Sequence, residues 1–347
     1  MMKAPFLTFL AAFSITSALS IQPSALLPRP PEVLRAVASM PAHIAGTFND
    51  LAACHLTPDG EFLVFDRRAH SVYRVPPNGA PRQIVQIGVE PGRILLPLAF
   101  DSAPDGSFVI ADAPTGIERI QIFYYLGGTV GGFTLPGRSV PQVALGDLVL
   151  SGLGSLEYTG KSVLVSQPAS GALVTEYSLD GRVLRTFGEL RPTGHEQSRE
   201  VHLALNAGMT IALPDDGGFY FVFLSGVPVF RKYDASGKFL FERHVEGPEL
   251  DRHIQSLPSE WPRRRATTGE FPIVPPSVRT AAVDPDGNLW ISLITPHTYV
   301  YDNAGDKRRT IQFRAAGILA ASRLYFTKKR QLLVSPGCYT FHTERQP

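Results

Sequence analysis

The chain has 347 residues, with 33 lysines and arginines against 31 aspartates and glutamates, and only two cysteines. Charged residues make up 18% and hydrophobic residues 44%, which excludes a disordered chain or a coiled coil. Two cysteines exclude a disulfide scaffold and a four-thiolate zinc site, and a net charge of +2 leaves no electrostatic footprint for nucleic acid.

Residues 1–20, MMKAPFLTFLAAFSITSALS, carry one cation (Lys3), no acid, and an apolar stretch that closes on small residues. Ala18 and Ser20 stand three places and one place before a cleavage ahead of Ile21, so the segment reads as a secretory signal peptide. The competing reading is an uncleaved anchor. Cleavage takes away Lys3 alone, leaving 32 cations against 31 acids. No later stretch approaches the ~20 apolar residues of a spanning helix, so the mature protein is expected to be secreted or periplasmic with no membrane span. Residues 21–41 hold five prolines and read mostly as a linker.

From residue 42 a unit recurs: apolar strand, tight turn, second apolar strand, a short third strand, and another glycine turn. The first turns are Thr57-Pro58-Asp59-Gly60, Ala103-Pro104-Asp105-Gly106, Pro214-Asp215-Asp216-Gly217 and Asp284-Pro285-Asp286-Gly287. Thr159-Gly160 is a shortened copy, and Lys328-Lys329-Arg330 fills the slot in a degenerate sixth. The strands that follow, among them EFLVFD from Glu61, SFVIAD from Ser107 and GFYFVF from Gly218, are rich in β-branched and aromatic residues. The later turns share flanks too, as in YSLDGRVL from Tyr177 and YDASGKFL from Tyr233.

Four short strands about every 50 residues predict an all-β, six-bladed β-propeller over 42–347. The blades are expected near 42–94, 95–140, 141–200, 201–275, 276–315 and 316–347. The last unit ends after three strands, so its outer strand must come from the N-terminal side, within 33–48, and tie the ring. Two stretches lengthen the pattern: 188–200, read as a polar loop, and 247–276 between blades four and five, with a short helix near Pro248 to Leu257.

The segments PLAFDSAPDGSFVIAD (97–112), AAVDPDGNLWIS (281–292) and VFRKYDASGKFLFE (229–242) resemble NHL-repeat and TolB-like six-bladed propellers of exported bacterial proteins. The likeness covers essentially the mature chain and is strongest in blades two, four and five. Blade three departs from the pattern by lacking the turn aspartate, and blade six departs as well. The resemblance implies the fold far more than an activity, since such propellers serve as binding scaffolds, lyases, lactonases and sensors.

Motifs for chemistry are sparse. Gly160-Lys161-Ser162 lacks the glycine spacing of a phosphate loop and falls on a hairpin. A Gly-x-Ser-x-Gly elbow and a His-Glu-x-x-His pair are absent, and the nine histidines are scattered. Cys54 and Cys338 fall in the first and last blades, which a closed ring makes neighbours; a disulfide across the seam and two buried thiols are both open readings. Aligning the units on their first turns puts Asp50, Asn206, Arg279 and Arg323 at the rim where inner strands begin. Two guanidiniums there suit a carboxylate or phosphate, and an Arg–Asp brace of the seam is the plainer alternative. His55 reads as a hydrogen-bonded core residue. In the long insertion, Trp261 with Arg263, Arg264 and Arg265 makes an aromatic and basic surface for recognition.

The expectation is therefore an exported, non-catalytic, monomeric propeller that binds a protein, a peptide or a small anionic molecule at its rim, with no cofactor. The alternative is a lactonase-like or lyase-like enzyme holding calcium or zinc in the central channel, which needs at least three convergent Asp, Glu, Asn or His side chains.

Overall fold

The computed structural model describes residues 30–77, 79–136, 143–145, 148–150, 155–214, 217–266 and 269–344. The expected signal segment lies outside these residues. Pro31–Pro347 forms one compact unit.

The chain enters through β1 (Glu32–Arg35) and a one-turn helix α1 (Ala42–Ala45), then builds its first sheet from β2 (Leu51–Leu56), β3 (Phe62–Asp66), β4 (Ser71–Val75) and β5 (Arg82–Ile87), with β6 (Arg93–Ile94) parallel to β5. The second sheet is β7 (Pro97–Ser102), β8 (Phe108–Asp112), β9 (Arg119–Phe123) and β10 (Thr129–Thr134). A two-stranded ribbon, β11 (Val143–Leu145) and β12 (Leu148–Leu150), leads to the third sheet of β13 (Leu156–Tyr158), β14 (Ser162–Ser166), β15 (Ala172–Ser178) and β16 (Val183–Glu189). Helix α2 (Arg199–Asn206) precedes the fourth, made of β17 (Gly208–Ala212), β18 (Phe219–Phe223), β19 (Val229–Tyr233) and β20 (Phe239–His244). Helix α3 (Pro248–Gln255) and a ribbon of β21 (Arg263–Ala266) and β22 (Gly269–Pro272) follow. The fifth sheet is β23 (Val278–Val283), β24 (Leu289–Leu293), β25 (Thr298–Tyr301) and β26 (Lys307–Arg314), joined by β27 (Ile318–Leu319); the sixth is β28 (Arg323–Phe326), β29 (Gln331–Ser335) and β30 (Tyr339–His342). The six sheets form a ring, a six-bladed β-propeller.

The alternation of side chains along a strand explains why the ring is stable. In β14, Val163 and Val165 pack with Val109 and Ala111 of the second blade, while Leu164 between them packs with Phe221 of the fourth. In β18, Phe219, Phe221 and Phe223 face the third blade, and Tyr220 and Val222 face the fifth. Leu332 and Val334 of β29 face the fifth blade, and Leu333 faces the first. Each middle strand is thus apolar on both faces and each core is shared by two neighbouring sheets, so no blade is self-sufficient.

The turns behave as structural parts. Asp284 accepts hydrogen bonds from the backbone N–H groups of Asp286 and Asn288 and from Trp290 Nε1, at 2.9–3.0 Å. Gly106 has φ +85°, and a Cβ there would stand 2.5 Å from Pro58 Cδ, so glycine lets neighbouring turns touch. In the degenerate sixth unit Arg330 takes that left-handed place at φ 61° and forks onto Asp286 of the fifth blade at 2.8 and 2.9 Å.

Closure differs in detail from the expected outer strand of blade six. Residues 32–35, inside the segment read as linker, form a ladder with the fifth blade: β1 runs parallel to β26 from Glu32 opposite Ile311 to Arg35 opposite Arg314. The run EVLR carries the strand formers that the surrounding prolines mask. The chain then crosses to the sixth blade, where Val37 N–H donates to Thr340 O at 2.9 Å and Thr340 N–H to Ala38 O at 2.8 Å. One segment therefore ties the last two blades together, and Arg309 of β26 clamps Glu32 at 2.7 Å. Cys54 on β2 and Cys338 beside β30 are joined by a disulfide, Sγ to Sγ 2.07 Å, across the seam between first and last blades. Both cysteines are buried.

Candidate functional site in the central channel

The inner strands β2, β7, β13, β17, β23 and β28 surround a cavity of about 820 Å³. Its lining comes from these strands and their first turns, including Pro104, Thr159, Pro285 and Lys328, and in the third blade also from Lys161, Glu176 and Arg185. Two inner-strand side chains, His55 and Asp101, stand five residues before the turn glycines Gly60 and Gly106, and Tyr325 stands five before Arg330. Glu157 takes the matching place in the third blade, whose turn is shorter.

These residues form one polar wall. Arg323 Nη2 donates to Asp101 Oδ1 at 3.2 Å and to Phe100 O at 3.1 Å, so the sixth blade reaches the second in front of the first. Asp101 Oδ2 accepts the Tyr158 N–H at 2.8 Å, tying in the third blade. Glu157 Oε1 accepts the Ala212 N–H at 2.9 Å, tying the third blade to the fourth. His55 Nδ1 shares a 2.5 Å hydrogen bond with Ser102 Oγ, and its ring stacks on Tyr325 with centroids 4.1 Å apart and sits edge-on to Phe100. Its Nε2 is buried with no hydrogen-bond partner among the described residues.

The electrostatics follow from burial. Desolvation, and then the Asp101 charge, raise the Glu157 carboxyl well above its ordinary range. Burial also raises Asp101, but the Arg323 charge pulls it back, so of the two carboxyls Glu157 is raised the more. Burial and the Arg323 charge push His55 well below its ordinary value, which keeps the imidazole neutral.

Of the four rim residues expected from sequence, Arg323 alone lines the cavity. Asp50 pairs with Arg67 at 2.9 Å and is partly exposed. Asn206 is fully buried at the end of α2, where it accepts from Arg191 N–H and donates to the carbonyls of Arg191 and His202. Arg279 is exposed, with its guanidinium directed at Ile294 O at 3.3–3.4 Å. The pair of guanidiniums does not form, because Arg279 is directed at Ile294 O outside the cavity while Arg323 meets Asp101 within it.

The expected aromatic and basic surface is divided: Trp261 is packed, while Arg263 and Arg265 stay exposed. Trp261 packs on a cluster of Val201, Ala204, Leu205 and Val274, and its Nε1 donates to His195 Nε2 at 3.3 Å. Arg263 pairs with Glu200 at 2.8 Å. Arg264 and Arg265 lie opposite Phe271 and Glu270 in the β21–β22 ribbon. The second insertion thus packs, through Trp261 and Val274, on α2, the helix that follows the first.

Sequence reasoning missed Asp101 and Glu157 and read His55 as a core residue. A count of five places back from each turn glycine carries the signal for His55 and Asp101; the short third turn hides Glu157. Among the described residues no three His, Cys, Asp or Glu side chains gather as a metal-binding set. Asp101 is committed to a guanidinium and a backbone N–H and Glu157 to the Ala212 N–H, so the residues described do not make a calcium or zinc ligand set.

No family model matches the chain, and no curated protein matches it. Solved structures do. A gluconolactonase of Xanthomonas campestris superimposes with a TM-score of 0.50 at 14% identity, covering 91% of this chain and 98% of that one. A streptogramin B lyase gives 0.50 at 10% identity, covering 85% and 94%. Virginiamycin B lyase from Staphylococcus aureus gives 0.49 at 11%, covering 81% and 76%. The likeness is one of fold.

Proposed function

We propose that this protein is an exported, ligand-binding propeller whose ligand is a small molecule held in the central cavity. One observation carries the reading: four ionisable side chains, His55, Asp101, Glu157 and Arg323, come from four different blades and meet at the channel. Desolvating such groups is unfavourable, and the stability of the ring already comes from its apolar cores between blades. A cavity of this size also falls in the range of small-molecule sites, about 300–1,000 Å³. The NHL-repeat and TolB-like resemblance of the turns fits a binding role. Export is supported by the composition of residues 1–20 and by the seam disulfide, a bond at home in oxidising compartments.

A second reading is catalytic. Burial raises the Glu157 carboxyl and lowers His55, and an acid and a base shifted in opposite directions on one cavity are the raw material of proton transfer. The fold is shared with a lyase and a lactonase, which adds no more than compatibility.

The test is native mass spectrometry of the chain from residue 21, secreted and purified gently, beside an Ala282→Phe variant that fills the cavity. A small molecule carried by the first and absent from the second supports the reading. Equal loads on both, or none on either after incubation with an extract of the producing cells, overturn it.

A further inference from the structure

The last residue of each inner strand, just ahead of the first turn, is Leu56, Ser102, Tyr158, Ala212, Val283 and Phe326 in blades one to six. Five of these are aliphatic or aromatic; the second blade has a serine. Ser102 is half-buried and lines the cavity. His55, on the first blade, brings its Nδ1 to 2.5 Å from the Ser102 Oγ. The imidazole is held in place by packing, stacked on Tyr325 at 4.1 Å and edge-on to Phe100 at 5.2 Å. The Tyr325 phenol also bears on Ser102. Stability alone does not call for a histidine here, since it is buried and its Nε2 has no partner among the described residues. Ile211 and Ala282, at the matching places of blades four and five, fill the position without that penalty.

We propose that Ser102 is a nucleophile with His55 as its general base, and that the cavity hydrolyses small carboxylic esters. This rests on the small-molecule cavity proposed above and adds a covalent step to it. Ser102 Oγ attacks the ester carbonyl carbon while His55 Nδ1 takes the hydroxyl proton. The bond from that carbon to the alcohol oxygen then breaks, and the proton passes from His55 to the departing oxygen. Water next gives a proton to the same nitrogen and its oxygen to the acyl carbon, and Ser102 leaves with that proton as the acid is freed. A nucleophile and a base within hydrogen-bond reach are the geometry this chemistry needs. Burial and the Arg323 charge leave the imidazole unprotonated at neutral pH, ready to accept. Arg323 Nη2 donates to Phe100 O and Asp101 Oδ1, the two residues before Ser102. Its positive charge beside that segment favours the negative oxygen of the tetrahedral intermediate.

The experiment exposes the full mature chain to diisopropyl fluorophosphate and, separately, to p-nitrophenyl acetate, and locates adducts by peptide mass spectrometry. A phosphoryl group on Ser102 is expected from the first and release of nitrophenolate from the second. Ser102→Ala should abolish both while keeping a cooperative urea transition. His55→Gln should slow both by about 10²–10⁴-fold, the usual share of a general base, while the acetate still enters. Entry is read apart from reaction by saturation-transfer NMR of p-nitrophenyl acetate, with Ala282→Phe as the filled cavity. Entry into the wild type without an adduct on Ser102, an adduct on another residue in its place, or His55→Gln reacting as fast as the wild type overturns the inference and leaves the binding function standing. A probe that neither enters nor reacts overturns the inference too, and the native mass spectrometry described above then decides the binding function by itself.

Discussion

Two buried groups in the channel set opposite demands on pH. The Glu157 carboxyl is raised above its ordinary value of 4.5, so the native protein holds a proton that the unfolded chain has released. The stability from this group is whole below pH 4.5 and is lost as pH rises toward the folded value. His55 is lowered well below 6.5, so the native protein refuses a proton that the unfolded chain takes up. Its contribution is whole above pH 6.5 and is lost as pH falls. Between these values the two slopes oppose each other in the wild type, each reaching at most about 1.4 kcal/mol per pH unit. Against wild type, Glu157→Gln should make stability climb more steeply with pH in this window, and His55→Gln should make it fall. Urea midpoints collected from pH 4 to 7 decide the matter, and changes of the same sign in both variants would refute the assignment. At this scale the sequence was poorly legible. Asp101 sits inside FDSAPDG, where the eye takes the turn, and Glu157 sits before a turn too short to align. Polar residues on an inner strand break an apolar pattern only once, and a single break does not show which way it points.

Elements were easier to read than residues, for a physical reason. A strand buried on both faces must be apolar throughout, and a tight hairpin must have a residue that tolerates positive φ. Both demands recur in every blade, so FLVFD, FVIAD and FYFVF stand out, as do the turns ahead of them. The insertions obey no such repeat. The helix near Pro248 was legible from its proline start, but α2 was not, because its first turn follows a polar loop that runs without a break into REVHLALN. Neither insertion is an appendage. Leu250 of α3 is fully buried in the core shared by the fourth and fifth blades, beside Val245 and Tyr299. Leu250→Ala should therefore cost about 2–5 kcal/mol of global stability, as for an interior leucine. A denaturation midpoint within 0.5 kcal/mol of wild type would show that α3 rides on the surface of the ring.

At the scale of the whole molecule, the ring is secured where the chain begins and ends. Residues 32–38 join two blades, and Cys54–Cys338 spans 284 positions of sequence. Replacing both cysteines with serine should lower stability by about 2–4 kcal/mol, through the larger freedom of the unfolded chain. Guanidinium unfolding of the oxidised wild type against the double variant measures it, and coincident curves would mean that the N-terminal tie alone sets closure. The ring was legible because its unit repeats; the crossing from fifth blade to sixth was not, since pairing partners more than 270 residues apart leave no local trace.

The alternation along β14, β18 and β29 has an evolutionary corollary. Adding or deleting one residue in such a strand would exchange the contents of two adjoining interfaces at a stroke, because odd and even positions serve different neighbours. Lengthening a connection, as at 188–200 and 247–276, disturbs neither. Propellers built this way can diversify only in the joints between their sheets and in the few inward positions that no neighbour claims, and it is there that one such protein will differ from the next.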